Sequence, residues 1–285
     1  MRKNSKNTDI VIKRFFGTVS IVLVTILIWM VGKYVIQDTE YREIRKEFIS
    51  DETVAPALDN VILYDDTAGE TEHEVAATGE NVTPITEEEA FQIYTKQGLK
   101  QIDHAGLKKV NADYLGWLDI PGTSISYPFV QSHDNQEYLK RSFEGKRRAS
   151  GSIFVDANIR DIESTKNLLI HGHNMKSGSM FASLPSYGKL SFYNKHPFIY
   201  LYTPDEVRVY QVMAAYTLKH DANEETAYQS DFSSENDYEA FVNGLLNRSV
   251  IHTNINNAYD SQILTLSTCV NHSLSRFIVH AIRFR

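Results

Sequence analysis

Residues 263–268 read ILTLST and lead directly into Cys269, the only cysteine of the 285-residue chain. Alternate residues of this run share a face if it is a β-strand, which places Ser267 and Cys269 on the same side. Six residues, 270–275, separate Cys269 from Arg276, which directly precedes a second run, residues 277–284 (FIVHAIRF). A connection of this length predicts a hairpin in which Cys269 and Arg276 lie at facing ends of adjacent strands.

Other short apolar runs predict a mostly β protein. They cover residues 114–120, 125–130, 151–155, 167–171, 198–202 and 207–217. One clear helix interrupts them, with Ser234 as its N-cap. Another helix is predicted to begin at Thr86, where Glu89 completes a capping box, and its apolar spacing continues to Ile102. Seven or eight strands with few helices favour a closed β-barrel with helical additions.

The N-terminus contains an apolar run, residues 15–32, without a charged residue until Lys33. Its length is at the short end of the roughly 17–25 residues that span a bilayer. Five basic residues and one acidic residue precede it. The excess of positive charge predicts a transmembrane signal anchor with residues 1–14 in the cytoplasm and the rest of the chain outside the cell. No small-residue cleavage site follows the run, so the anchor is expected to stay uncleaved.

The remaining chain divides by composition. Residues 33–85 are predicted to form an acidic extracellular stalk, because no Lys or Arg lies between Lys46 and Lys96. A helical region at residues 86–110 and the β-barrel at residues 111–285 are expected to follow. The net charge of -7 and the lack of a basic cluster argue against binding to nucleic acid.

Cys269 is either a small buried filler or a nucleophile. Exported proteins use cysteine mainly in disulfide pairs, and a single cysteine cannot pair within its own chain. This favours the nucleophile, which then needs a proton-transfer partner and a group that stabilises an oxyanion. The guanidinium of Arg276 can serve as that second group, and a solvated surface arginine is the alternative.

A histidine candidate follows the strand at residues 167–171, where the chain reads His171-Gly172-His173. Polar residues at strand ends are where β scaffolds carry functional groups. A metal site is the competing interpretation, because the two histidines are two positions apart. However, no thiolate or pair of carboxylates nearby completes a ligand set.

Five segments together resemble a known family. Residues 265–269 (TLSTC) resemble the TLxTC signature of sortases, the membrane-anchored cysteine transpeptidases of Gram-positive bacteria, and residues 167–175 (NLLIHGHNM) resemble their catalytic-histidine segment. Three more segments resemble class B sortases in particular: residues 116–123 (GWLDIPGT), 126–131 (SYPFVQ) and 151–156 (GSIFVD). The resemblance runs from about residue 110 to the end of the chain.

This resemblance implies an eight-stranded sortase-type β-barrel, with a helix in the loop before the cysteine strand. It also implies that Cys269 is the nucleophile, His173 the general acid/base, and Arg276 the oxyanion-stabilising or substrate-positioning residue. The family often has tyrosine where this chain has His171. The substrate contacts implied by position are Asn135, Leu139, Ser267 and Thr268.

The implied reaction joins two partners at the cell surface. The enzyme would cleave a C-terminal sorting signal of the NPxT or PxT type after its threonine, through a thioester. It would then attach the secreted protein to an amino group of the peptidoglycan cross-bridge or its lipid-linked precursor. No cofactor and no metal are implied. The alternatives are a membrane-anchored hydrolytic cysteine protease, although papain-like enzymes have the opposite Cys–His order, and a non-catalytic wall-binding domain.

Overall fold

The structure is a computed structural model that describes residues 18–28, 32, 39–54, 83–218, 227–255, 261–269 and 275–284. At residues 51–54, 87 and 269 the description covers the backbone. The chain divides into two units, Met1–Glu47 and Phe48–Arg285. In the first unit, the described residues are helical at 18–28 and from 39 onward.

The predicted transmembrane helix at residues 15–32 requires a correction. Among the described residues, no helix combines the length and the apolar character needed to cross a bilayer.

The second unit begins with a small sheet that differs from the predicted pattern. Strand β1 (Ile49–Val54) pairs antiparallel with β2 (Leu99–Ile102). Helix α1 (Glu87–Lys96) has the predicted capping box of Thr86 and Glu89 but ends before the apolar residues that the sequence pattern added to it. Strand β1 also lies within the segment predicted to be stalk, and residues 55–82 of that segment are outside the described residues. Helix α2 (His104–Val110) follows β2.

The remaining strands close into the predicted eight-stranded barrel, which is thereby confirmed. They are β3 (Tyr114–Asp119), β4 (Ser126–Val130), β5 (Ile153–Val155), β6 (Asn167–Gly172), β7 (Phe198–Tyr202), β8 (Val207–Leu218), β9 (Ile263–Cys269) and β10 (Arg276–Arg283). The order around the barrel is β10-β8-β7-β3-β4-β5-β6-β9, and β9 also pairs with β10. Two neighbouring pairs, β4 with β5 and β6 with β9, are parallel.

Between the barrel strands, the described residues include two further α-helices, the short α3 (Leu190–Lys195) and α4 (Glu235–Arg248). Helix α4 starts at Ser234, as predicted, and the Ser234 side chain accepts a hydrogen bond from the Asp237 amide. Its apolar stripe packs on Ile263 of β9 and Ile282 of β10. The residues of β9 that share a face with Ile263 therefore lie on the outside of the barrel. This outer face carries the candidate site.

Candidate active site

Cys269 and Arg276 are paired residues at one end of the β9–β10 hairpin. Further along the same pairing, Ser267 faces Ile278 and Thr265 faces His280. The predicted register is therefore confirmed. Because faces alternate along a strand, Cys269 lies on the same outer face as Ser267 and Thr265, at the end of β9 away from α4.

His173 reaches the level of Cys269 because β6 runs parallel to β9. In that pairing His171 lies beside Ser267 and Gly172 beside Thr268. The residues that follow Gly172 and Thr268 in the chain are the candidate base, His173, and the candidate nucleophile, Cys269. The Nε2 atom of His173 lies 2.8 Å from the Leu139 carbonyl oxygen. A carbonyl only accepts hydrogen bonds, so Nε2 carries a proton and Nδ1 is the nitrogen left for proton transfer.

Gly172 allows close packing beside His173. A Cβ atom at this position would lie 2.5 Å from Ile153 Cδ1 and 2.7 Å from Phe181 Cδ2, closer than real Cβ contacts come. The Phe181 amide donates a hydrogen bond of 2.9 Å to the His173 carbonyl. The backbone of His173 is therefore fixed on one side by close packing and on the other by this hydrogen bond.

The carbonyl that holds His173 belongs to a short 3-10 helix, Glu137–Leu139, which is anchored to the barrel. The Tyr138 hydroxyl donates to Asp113 Oδ2 at 2.7 Å and accepts from Asn111 Nδ2 at 3.0 Å. Burial raises the pKa of Tyr138 to about 12, so this hydroxyl keeps its proton. Leu139, a predicted substrate contact, is half-buried and is thus presented by a well-held loop.

Asp156 joins two groups that flank the site. Its Oδ2 atom accepts from His171 Nε2 at 2.9 Å and from Asn135 Nδ2 at 2.8 Å. Burial alone would raise the pKa of Asp156, but hydrogen bonds, from His171 foremost, hold it below its usual value. The side-chain oxygen of Asn135, Oδ1, accepts a hydrogen bond from the Ala157 amide at 2.8 Å. Both ends of the Asn135 amide, predicted to contact substrate, therefore tie its loop to the Asp156 turn.

The two remaining predicted substrate contacts lie on opposite faces of β9. Ser267 is buried on the outer face, and its Oγ lies 2.9 Å from the Tyr228 hydroxyl. Thr268 is buried on the inner face, and its hydroxyl has no hydrogen-bond partner among the described residues. Ser267 is consequently the one of the two that shares a face with Cys269.

A buried hydrogen-bonded chain stiffens the outer face next to these residues. Thr265 Oγ1 donates to Asn167 Oδ1 at 2.6 Å, so it accepts from Nδ1 of His280 at 2.8 Å. The Tyr216 hydroxyl then donates to Nε2 of His280 at 2.9 Å. Burial lowers the pKa of His280 to about 3, which keeps the ring neutral. The chain links β6, β9, β10 and β8 across the face that carries Cys269.

Two residues of this region were missed by sequence reasoning. Asp156 follows the run at residues 151–155 directly, so the strand-end criterion applied to His173 could have found it. Tyr228 lies in the long connection between β8 and β9, where no local pattern indicates which side chain returns to the barrel. Across the described ranges, no three His, Cys, Asp or Glu side chains group in a way that could hold a metal ion.

Comparison with known proteins adds to this geometry. Residues 118–283 match the family model of the sortase domain. The chain is 34% identical to sortase B of Staphylococcus aureus over 163 residues, which is 57% of this chain and 66% of that protein. It is also 34% identical to sortase B of Listeria monocytogenes over 193 residues, which is 64% of this chain and 76% of that protein.

Solved structures show the same similarity. A Staphylococcus aureus sortase B–substrate complex matches with a TM-score of 0.59 and 33% identity, covering 63% of this chain and 83% of that one. A crystal structure of sortase B complexed with triglycine matches with a TM-score of 0.59 and 32% identity, covering 63% and 84%.

Proposed function

Because this chain belongs to the sortase family, in its class B of cysteine transpeptidases, we propose that Cys269, His173 and Arg276 carry out its acyl transfer. The thiolate of Cys269 attacks the carbonyl carbon of the threonine in a C-terminal sorting signal. The C–N bond then breaks, His173 gives a proton to the leaving amine, and a thioester remains. An incoming amine attacks the thioester and loses a proton to His173, and the thiolate leaves as the new amide forms.

The observation that carries this proposal is the pairing of three strands. The β9–β10 register sets Cys269 opposite Arg276, and the β6–β9 register brings His173 to the same level. Nucleophilic catalysis requires a thiol, a proton carrier and an oxyanion-stabilising group within reach of one carbonyl. A permanently charged guanidinium suits the third role.

The substrates follow from the relatives. One similar structure is a sortase B–substrate complex and another is sortase B complexed with triglycine. We therefore propose that this chain acts on secreted proteins with an NPxT- or PxT-type signal. The accepting amine belongs to the peptidoglycan cross-bridge or its lipid-linked precursor, and the reaction takes place at the cell wall.

The proposal predicts transfer and not mere hydrolysis. Purified protein incubated with an NPxT- or PxT-type peptide is expected to release the fragment after threonine. When triglycine is added, mass spectrometry should detect the acyl fragment joined to it by an amide bond. Products that stay hydrolytic with triglycine, other oligoglycines and amino acid amides would contradict the transpeptidase and favour a cysteine protease.

A conservative change at Arg276 tests its role. Arg276→Lys is expected to lower kcat by about 10²-fold, because one ammonium cannot reproduce the planar fork of donors at an oxyanion. Steady-state kinetics on the signal peptide measure this. Arg283→Lys is the matched control, since Arg283 lies at the other end of β10 and contacts Glu206 Oε2 at 2.8 Å. Equal losses in both variants would contradict the assignment of Arg276.

A further inference from the structure

We propose that His171 is a positioning residue for the peptide-binding face next to Cys269. Held by Asp156, its ring keeps Tyr228 against Ser267. This inference rests on the function proposed above, because it concerns how the signal peptide is received. His171 is not assigned a step in the chemistry.

The His171 ring packs between two aromatic rings, those of Phe154 and Tyr228. Its ring centroid lies 5.3 Å from that of Phe154 and 6.0 Å from that of Tyr228, the second contact being edge-to-face at 70°. Its Nε2 atom is held at 2.9 Å by Asp156. Edge-to-face contacts depend on ring orientation, so a rotated imidazole would no longer support Tyr228 in this position.

Tyr228 links His171 to β9, the strand that carries the nucleophile. Its hydroxyl lies 2.9 Å from Ser267 Oγ, and Ser267 lies on the same face as Cys269, two residues before it. Two residues of a strand extend about 7 Å. A peptide with its scissile carbonyl at Cys269 therefore has neighbouring residues within reach of the Tyr228–Ser267 pair.

The His171–Asp156 hydrogen bond is largely buried and fixes the orientation of the His171 ring. The side chains of His171 and Asp156 are 22% and 11% exposed, and the carboxylate accepts further hydrogen bonds from Asn135 and from the Asn158 amide. A hydrogen bond to a carboxylate is about twice as strong as a neutral one. The imidazole is thus held more firmly than stacking alone would hold it.

Three variants separate the contribution of the His171 ring from those of its hydrogen bond to Asp156 and of the Tyr228 hydroxyl. His171→Phe keeps an aromatic ring and removes the donor to Asp156, whereas His171→Gln keeps a donor and removes the ring. Tyr228→Phe removes the hydroxyl that meets Ser267. We expect His171→Phe to raise KM about tenfold with kcat changed less than about twofold, corresponding to one lost hydrogen bond to a charged group.

His171→Gln, which keeps a donor to Asp156, should raise KM less than His171→Phe does.

A double-variant cycle then tests whether His171 acts through Tyr228. If it does, His171→Phe combined with Tyr228→Phe raises KM little more than the larger single change, whereas independent effects multiply. The exposed His252, changed to Gln, is the control and should retain wild-type kinetics. Alkylation of Cys269 at an unchanged rate shows that each variant is folded.

Peptide affinity measured in a Cys269→Ala background makes the test independent of turnover. Adding His171→Phe there should weaken binding of the signal peptide about tenfold. If wild-type protein turns over no peptide while this loss of affinity is seen, the proposed chemistry fails and the positioning role stands. Unchanged affinity, a fall in kcat at constant KM, or multiplicative effects with Tyr228→Phe would overturn the positioning role.

Discussion

Replacing Cys269 with alanine is expected to lower kcat/KM for the signal peptide by at least about 10⁴-fold. Removing the nucleophile leaves no atom to form the thioester, and the remaining groups can only bind the peptide and polarise its carbonyl. Cys269 is the last residue of β9 and is paired with Arg276 through the backbone. The substitution therefore removes the thiol without disturbing the register of the hairpin. Cleavage of a quenched peptide and trapping of the acyl-enzyme by mass spectrometry measure the loss.

The control for this prediction is peptide binding. The alanine variant should bind the signal peptide with an affinity within about threefold of wild type, since the thiol contributes little contact area. A methanethiosulfonate reagent should inactivate the wild-type protein and leave the residual rate of the variant unchanged. Retention of more than a few per cent of the wild-type rate by Cys269→Ala would exclude the thioester mechanism.

The β9–β10 hairpin could be predicted from local sequence. Period-two alternation assigns each residue to a face of the strand. Because the connection is short, most of the possible registers place Cys269 opposite Arg276. The boundary of α1 could not, because Leu99–Ile102 has apolar spacing that fits a helix in isolation. Its pairing with Ile49–Val54, nearly fifty residues earlier, overrides that local preference.

The site was partly predictable for the same reason. His173 follows an apolar strand and precedes a loop, which is a local signal, but its neighbourhood with Cys269 depends on the parallel pairing of β6 and β9. Parallel neighbours are joined by long crossovers, so their register has no local signature. Asp156 meets His171 through the pairing of β5 with β6, and Tyr228 comes from the connection between β8 and β9. Sequence reasoning accordingly named the candidate reacting residues and missed the side chains that hold their surroundings.

The second large effect is expected at His173. His173→Ala should lower kcat/KM by about 10³-fold, because the leaving amine would depart without a proton and the thiolate would lose its partner. Imidazole added at high concentration should restore part of the rate, since a free ring can enter the space of the missing one.

His133→Ala is the matched control, because the His133 side chain is 87% exposed, and it should retain wild-type activity and gain nothing from imidazole. The Leu139 carbonyl holds Nε2 of His173, so the working nitrogen is Nδ1. His173→Asn, whose amide can approximate the Nδ1 position, and His173→Gln, whose amide can approximate the Nε2 position, should both remain far below wild type because neither amide titrates near neutral pH. Substantial activity in either variant would show that proton transfer at residue 173 is dispensable, and the acid/base role would then have to be assigned to another group within reach of Cys269.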